Sequence, residues 1–170
     1  MAGEASIRLA LKTDLPALVQ IYNHYVEHTA VTFDTRSFDV DQRRAWFEGF
    51  TSDGTHRLFV ADQDGQAVGY ASSSSLIPRP AYDTSVQTTV YLHPSSTGKG
   101  IGSRLYTELM TQLVRDPRLH RAYGGIALPN ESSVALHKKL GFEHIGTYRE
   151  VGYKFDKFWD VAWYEKDLSS

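Results

Sequence analysis

A glycine-rich turn between a strand and a helix is the segment of this sequence best suited to bind a phosphate. Gly98, Gly100 and Gly102 alternate with other residues where an apolar helical pattern begins at Ile101. Glycines leave backbone N–H groups bare, and the first turn of a helix adds a partial positive charge of about +0.5. Residues 97–103 are therefore a candidate phosphate or pyrophosphate site, and an ordinary tight turn at a helix start is the alternative.

The spacing in this turn excludes two familiar phosphate motifs. A P-loop would need glycine at position 93 and Ser or Thr at position 100, where the chain has His93 and Gly100. A dinucleotide fingerprint starting at Gly98 would need Gly or Ala at position 103, where Ser103 stands. The site would therefore bind phosphate through a loop of another kind.

A second segment, residues 130–142, could carry out proton transfer. It follows an apolar strand, opens with Asn130 and ends with Gly141 and Phe142. In a helix over 130–140, His137 lies at the edge of the apolar face. Such a histidine is either a partly buried, hydrogen-bonded residue or a group that exchanges protons near neutral pH.

Hydrophobic periodicity predicts the elements that must position these segments. Strands are predicted at 6–10, 58–61, 67–72, 85–92 and 123–128, and near 145–151 and 159–164; the serines at 72–75 and the prolines at 78 and 80 should end the third. Helices are predicted at 14–28 with Thr13 as N-cap, at 39–50 with an Asp39/Gln42 capping pair, from Ile101 through Val114, and at 130–140. This order predicts one α/β domain over residues 1–170, with a mixed sheet.

Composition narrows the function classes. The chain has 170 residues, a formal net charge of −2 and no cysteine, which argues against a nucleic-acid binder and excludes disulfides and thiolate nucleophiles. No signal peptide pattern and no apolar run of 18 residues is found, so we expect a cytoplasmic protein that does not bind membranes. Residues 24–28 spell His-x-x-Glu-His, as in inverted zinc peptidases. No third ligand is identifiable, and we predict no metal site.

The order of strand, glycine loop, helix, strand, asparagine, helix and Gly-Phe resembles the GNAT superfamily of N-acetyltransferases. Further segments are similar to the phosphinothricin and methionine sulfoximine acetyltransferase family, from about residue 7 to 168. They are Ile21-Tyr22-Asn23, Thr32-Phe33, Trp46-Phe47, Gly69-Tyr70-Ala71, Arg79-Pro80-Ala81-Tyr82, residues 86–92, Leu136-His137, Gly152-Tyr153-Lys154 and Trp159-x-Val161.

The resemblance implies a single-domain acetyltransferase fold, with a mixed, mainly antiparallel central sheet that is flanked by helices and splays near its middle. It also implies acetyl transfer from acetyl-CoA to the amino group of a small amino-acid-like acceptor, of the phosphinothricin, methionine sulfoximine or methionine sulfone type, and a homodimer. Direct transfer in a ternary complex fits the absence of a cysteine to carry the acetyl group.

The resemblance also implies the site residues. Acetyl-CoA would be bound by Val90, Tyr91, Leu92, Thr97, Gly98, Lys99, Gly100, Ile101, Gly102, Ser103, Asn130 and Ser133. The acceptor would be bound by Phe33, Arg79, Tyr82 and Gln87, with the Arg79 guanidinium on its acid group. Gln87 and His137 would be the catalytic pair, with His137 assisting the departing thiolate.

Three departures from the family pattern bear on activity. Gln87 stands where the family has the glutamate taken as general base, Thr97 replaces Gln or Arg at the start of the loop, and residues 84–86 differ on the approach to the strand. A positioned base is worth about 10²–10⁴ in rate, whereas juxtaposing the reactants can supply roughly 7–11 kcal/mol. Loss of the base should therefore slow transfer or move its optimum to higher pH; water, Asp83 or His137 could substitute.

Two other functions stay open. A non-catalytic acyl-CoA-binding protein would keep the glycine loop and lack the base. An acetyltransferase for a different amine or for a protein acceptor would keep the cofactor site and change the acceptor site.

Overall fold

The computed structural model describes residues 4–169, and its seven strands form one sheet in the order β1-β2-β3-β4-β5-β7-β6. The pair β4–β5 is parallel and the other neighbouring strands are antiparallel. The predicted mixed, mainly antiparallel sheet is therefore confirmed. The strands are β1 Ser6–Leu9, β2 Leu58–Gln63, β3 Gln66–Ser75, β4 Ser85–Leu92, β5 Arg121–Ala127, β6 Glu143–Lys154 and β7 Lys157–Asp167.

Four helices pack on the two faces of this sheet: α1 Leu15–His28, α2 Arg44–Glu48, α3 Ile101–Val114 and α4 Glu131–Lys139. One core lies beneath α3 and contains Phe59, Ala61 and Leu109. The other lies beneath α1 and α2 and contains Leu58 and Val60. Adjacent residues of β2 thus enter opposite cores, as the two-residue period of a strand requires. Among the residues that the structure describes, no helix has the length and apolar character needed to cross a bilayer.

The parallel pair β4–β5 is short and then opens. Its register joins Ser85, Val86 and Gln87 to residues 121–123 of β5. β4 continues to pair with β3 as far as Leu92, and β5 continues to pair with β7. The two strands therefore diverge after Gln87, and the edge of each that faces the other is left without a strand partner. The splay implied by the resemblance is present.

The first helix begins one residue later than predicted, with a different cap. Lys12–Asp14 form a 3₁₀ turn and α1 starts at Leu15, so the Thr13 cap is wrong. The Asp14 carboxylate instead accepts hydrogen bonds from the Leu11 amide at 2.7 Å and from Arg8 at 2.8 and 2.9 Å. An ion pair between β1 and this turn fixes the start of the helix here.

Two other boundaries also differ. The predicted helix 39–50 is reduced to Arg44–Glu48, although the Asp39/Gln42 capping pair forms, with reciprocal bonds of 2.8 and 2.9 Å. The serines at 72–75 do not end β3, which continues to Ser75. Their hydroxyls bond inside the sheet: Ser73 Oγ donates to Thr55 O at 2.8 Å, and Ser72 Oγ lies 2.9 Å from Thr89 Oγ1.

A buried carboxylate anchors the end of α3. Asp116 accepts hydrogen bonds from Arg118 at 2.7 and 2.8 Å and from Arg57 at 3.3 Å. Arg118 also donates to Asp53 O at 2.6 Å, which joins this end of α3 to the loop before β2. Hydrogen bonds from Arg118 hold the pKa of Asp116 at about 2.

Replacement of this carboxylate should destabilise the fold. We expect Asp116→Ala to lower the free energy of unfolding by about 3 kcal/mol, because it leaves the largely buried Arg57 without its counter-ion. Asp41→Ala is the matched control, since Asp41 pairs with Arg44 on the surface and should contribute under about 1 kcal/mol. Urea unfolding at pH 7 measures both, and equal losses would contradict the assignment.

Candidate functional site

A cavity of about 640 Å³ lies on the side of the sheet that carries α1 and α2. This volume is within the range of roughly 300–1,000 Å³ usual for small-molecule sites. Gln87, Thr89 and Tyr91 of β4 line its floor beside Gly125 of β5. The alternation of β4 predicts that these three β4 side chains share one face of the sheet. Val86 and Thr88 point to the other face, where both are buried in the opposite core.

A narrow cleft of about 50 Å³ adjoins this cavity where β4 and β5 diverge. The two share Thr89, Tyr91 and Gly125 among their lining residues. Asn130, Ser133 and His137 of α4 complete the cleft. A ligand in the cleft would therefore present one end to the cavity and would lie against the open backbone edge of β4.

His137 forms the base of the cleft, where it is 5% exposed. Its Nδ1 lies 2.8 Å from Ser133 O, and its Nε2 lies 3.0 Å from Tyr106 Oη. Because a carbonyl oxygen only accepts, the proton of the neutral ring belongs on Nδ1, and Tyr106 then donates to Nε2. Tyr106 Oη is also 2.6 Å from Thr88 Oγ1, which ties the ring to β4.

Two adjacent glycines of β5 make room on both sides of the splay. A Cβ at Gly124 would lie 2.5 Å from His137 Nε2, and one at Gly125 would lie 3.2 Å from Trp163 Cη2. A side chain at position 124 would therefore displace His137 from its place beneath β5, whereas one at position 125 would require Trp163 to move by a few tenths of an ångström. Trp163 lines the cavity, and its Nε1 is buried without a hydrogen-bond partner in the described residues.

The segment after α1 forms the wall of the cavity opposite the sheet. Phe33 packs on Gly152, where an added Cβ would meet the ring at 2.3 Å. Lys154, which is 5% exposed, donates to Thr32 O at 2.8 Å. Burial lowers the pKa of the Lys154 ammonium. β6 thus fixes the wall that contains the predicted acceptor residue Phe33.

Three tyrosines of the cavity are too weakly acidic to lose a proton near pH 7. Burial, followed by a hydrogen bond to Asp34, raises the pKa of Tyr22 to about 12. Burial likewise raises the pKa values of Tyr70 and Tyr91. These phenols therefore line and shape the cavity as neutral groups.

The glycine turn leaves three backbone amides at the start of α3 without a helical partner. Gly98 and Gly100 adopt φ values of +74° and +75°, which are unfavourable for residues that have a Cβ atom. The first amide bonded within α3 is that of Arg104, which donates to Gly100 O at 3.1 Å. The amides of residues 101–103 therefore precede the bonded ladder and are free to bind an anion. The side chains of Thr97 and Lys99 turn back onto Pro94 O and Ser95 O at 2.9 Å each.

The chain matches a family model described as an acetyltransferase (GNAT) domain over residues 7–163. The chain belongs to the GNAT acetyltransferase family. It is 52% identical to the phosphinothricin N-acetyltransferase of Streptomyces coelicolor over 98% of both chains. It is 34% identical to an L-methionine sulfoximine/L-methionine sulfone acetyltransferase of Salmonella typhimurium, over 96% of this chain and 94% of the relative.

Solved structures agree with this assignment. A GNAT phosphinothricin acetyltransferase from Sinorhizobium meliloti in complex with acetyl-CoA superposes with a TM-score of 0.91 at 30% identity. The match covers 98% of this chain and 89% of that one. The protein is thus an acetyl-CoA-dependent N-acetyltransferase, as the sequence resemblance implied.

Two features of this acetyltransferase fit parts of acetyl-CoA, the pantetheine chain and the pyrophosphate. The unpaired edge of β4 from residue 88 onward offers backbone groups to an extended amide chain such as pantetheine. The free amides of residues 101–103 offer donors to a pyrophosphate. When bound, acetyl-CoA would supply the thioester that carries the acetyl group. The individual contacts of Val90, Leu92, Ser103 and the rest of the predicted set stay predictions.

Asn130 also has a structural task. Its Oδ1 caps α4 by accepting from the Ser133 amide at 3.2 Å, and it accepts from Ser132 Oγ at 3.1 Å. Asn130 and Ser133 both line the cleft, which is compatible with the predicted contact to the pantetheine arm. That contact would use the remaining amide group of Asn130.

The structure separates the predicted acceptor residues. Phe33 and Gln87 line the cavity, whereas Arg79 and Tyr82 lie exposed around the 3₁₀ turn Pro80–Tyr82, outside its lining. Asp83, considered as a substitute base, lines a different surface pocket with Thr84 and Arg118. The roles of Arg79 and Tyr82 in acceptor binding therefore stay predictions.

Sequence reasoning assigned no role to several side chains that the fold brings into the cavity. Arg43, Trp46, Tyr70 and Trp163 come from α2 and its N-cap, β3 and β7. Trp46 and Tyr70 stand in segments that resemble the family, whereas no motif in the sequence singles out Arg43 or Trp163. His24 and His28 stack at 4.8 Å between ring centres, and no cluster of three metal-ligating residues is found within 4–169.

The buried imidazole should make stability depend on pH. Burial lowers the pKa of His137, against an opposing hydrogen bond to Ser133. The unfolded chain, with an ordinary histidine pKa of about 6.5, then binds more protons below that pH than the folded protein does. The stability of the wild type should fall as pH drops below about 6.5, by at most about 1.4 kcal/mol per pH unit for this one proton.

Removal of the imidazole isolates this contribution. We expect His137→Gln to flatten the pH dependence of the free energy of unfolding between pH 5 and 7.5, measured with urea. His28→Gln removes an exposed imidazole and is the control, which should keep the wild-type slope. Identical slopes for wild type and His137→Gln would contradict the assignment.

Proposed function

We propose that this acetyltransferase moves the acetyl group of acetyl-CoA directly to the amino group of a small amino-acid-like acceptor bound in the central cavity. The main support for this proposal is that the cavity adjoins the cleft at the point where β4 and β5 diverge. Amine and thioester would therefore meet at Gln87 and Gly125. The similarity to enzymes named for phosphinothricin and for methionine sulfoximine and sulfone supports this acceptor class.

Gln87 would orient the acceptor amine and would not deprotonate it. Its side chain is an amide on the cavity floor, and an amide does not titrate between pH 4 and 10. Positioning of the reactants supplies the larger part of the barrier reduction, so transfer survives without a side-chain base. The acceptor amine would then lose its proton to water.

His137 is proposed to assist the departing thiolate, and its geometry limits how. Both ring nitrogens are engaged, with Nδ1 on Ser133 O and Nε2 on Tyr106 Oη. To donate from Nε2, the ring must first be protonated there and must exchange its bond with Tyr106. The same bonds make His137 a positioning residue that fixes Tyr106 and Thr88 beneath the cleft.

An acetyl-CoA turnover assay tests the function. Free CoA thiol would be measured with phosphinothricin, methionine sulfoximine, methionine sulfone and a wider amino-acid panel, at pH 7 and pH 9. We expect release with a few acceptors, rising by roughly tenfold per pH unit while the acceptor amine is mostly protonated. Tight CoA binding without release for any acceptor would favour a non-catalytic acyl-CoA-binding protein, and acetylated peptide would favour a protein acceptor.

The missing carboxylate can be restored. Gln87→Glu should raise kcat/KM near pH 7 by on the order of 10²-fold and flatten the rise toward pH 9, because the new base would accept the amine proton. Gln66→Glu, at an exposed position of β3, adds the same charge outside the cavity and should leave the profile unchanged. No gain with Gln87→Glu would show that proton removal does not limit the rate.

We also propose that the enzyme is a homodimer that pairs through the β6–β7 hairpin. This hairpin exposes six large apolar side chains, each by at least half of its surface: Ile145, Tyr148, Val151, Tyr153, Phe155 and Phe158. A patch of this kind on one edge of a sheet favours a protein partner. Tyr148, Val151 and Tyr153 also line the cavity, so a second copy there would narrow the acceptor site.

Light scattering on the eluting protein tests the dimer. We expect twice the chain mass of 19.1 kDa for the wild type and a monomer for Val151→Glu. Leu11→Glu is the control, because Leu11 is 56% exposed beside β1 at the opposite edge of the sheet. A monomeric wild type, or loss of the dimer in both variants, would contradict the interface.

The cytoplasmic location and the lack of a nucleic-acid partner stay predictions from the sequence. Cell fractionation and a DNA-binding assay at low salt would check them.

A further inference from the structure

Arg43 is the one charged side chain among the cavity-lining residues in the described part of the chain. It is the N-cap of α2. Its guanidinium carbon lies 4.1 Å from the centre of the Trp46 ring, 4.7 Å from Tyr22 and 5.2 Å from Phe38. Aromatic rings at these distances bind the faces of a guanidinium, and its N–H groups point out in the plane. The edge of Arg43 is therefore the part left for a partner.

No protein group within residues 4–169 supplies that partner. Arg43 makes no ion pair or hydrogen bond there, and its Nε is buried without one. The neighbouring charged groups have other partners. Arg44 pairs with Asp41, and the Asp34 carboxylate accepts a hydrogen bond from the Tyr22 hydroxyl at 2.5 Å. A partly buried cation without an anion is costly, and unpaired buried donors in folded proteins call for an explanation. A negatively charged ligand in the cavity provides one.

We propose that Arg43 binds the carboxylate of the acceptor and thereby sets the preference of the enzyme for amino acids over their amides. The inference rests on the proposed acetyl transfer and assigns the acid-binding role inside the cavity, where Arg79 does not lie. A carboxylate can accept two parallel N–H bonds from one guanidinium, which fixes its direction as well as its place. With the acid group held at the α2 wall, the amine is directed toward Gln87 on the floor.

The preference can be measured as a ratio. L-methionine sulfone and its primary amide carry the same amine and side chain, and the ratio of their kcat/KM values reports recognition of the carboxylate. We expect the wild type to favour the acid. Arg43→Met, which keeps apolar volume between the rings, should lower the ratio by about 10- to 100-fold through the KM of the acid. Arg43→Lys keeps the positive charge but lacks the paired N–H donors of a guanidinium, so its ratio should lie between those of the wild type and Arg43→Met.

Two further variants separate recognition from folding. Arg44→Met removes the adjacent surface guanidinium and should keep the wild-type ratio. Turnover of the amide is the internal reference, because a merely structural defect in Arg43→Met would lower the rates of acid and amide alike. An unchanged ratio, an equal loss for both acceptors, or loss of the preference in Arg79→Met in place of Arg43→Met would overturn the inference.

Binding is measured separately from turnover. Calorimetric titration of L-methionine sulfone into the CoA-saturated protein should show binding to wild type and Arg44→Met and weaker binding to Arg43→Met. If the wild type binds the acid through Arg43 but transfers no acetyl group, the proposed function fails and the inference stands. If the wild type does not bind the acid, or Arg43→Met binds it as well, the inference is overturned.

Discussion

The divergence of β4 and β5 is the constraint on which the rest of this structure depends. Pairing holds through Gln87 and Tyr123 and then gives way. Thr88, Tyr106 and His137 form a hydrogen-bonded chain beneath the opening. Beyond this point β4 stays hydrogen-bonded to β3 and β5 stays hydrogen-bonded to β7, so both strands remain part of the sheet. One opening thereby supplies an unsatisfied backbone edge for the co-substrate and a passage to the acceptor cavity.

Most of the fold could be predicted from local pattern. The alternation in β4, the apolar stripe of α3 and the Asn130 and Gly141 ends of α4 are sequence-local and are confirmed. The errors fall where distant contacts decide. The start of α1 depends on Arg8 from another element, and the serines of β3 remain in a strand because Thr55 and Thr89 bond their hydroxyls.

The two halves of the candidate site differ in the same way. The cofactor half lies in two continuous segments, where spacing along the chain carries the signal. The acceptor half is assembled from α2, β3, β4, β6 and β7, and no spacing rule predicts which side chains meet. Arg79 stood out by its place in a motif, whereas Arg43 acquires meaning only from the three rings around it. Phe33 was predicted to bind the acceptor and lines the cavity, but its packing on Gly152 could not be predicted from the sequence.

The place of β7 in the sheet has a consequence for biosynthesis. β7 is the last strand in chain order, yet it lies between β5 and β6 and supplies the outer partner of β5 along residues 121–127. A ribosome releases the glycine turn, α3 and β5 well before it releases β7. Until then the nascent chain holds β5 with a bare outer edge, which is the kind of edge that pairs with other chains. The outer edge of β5 is thus covered only late in translation, and a messenger truncated before β7 would yield an aggregation-prone product.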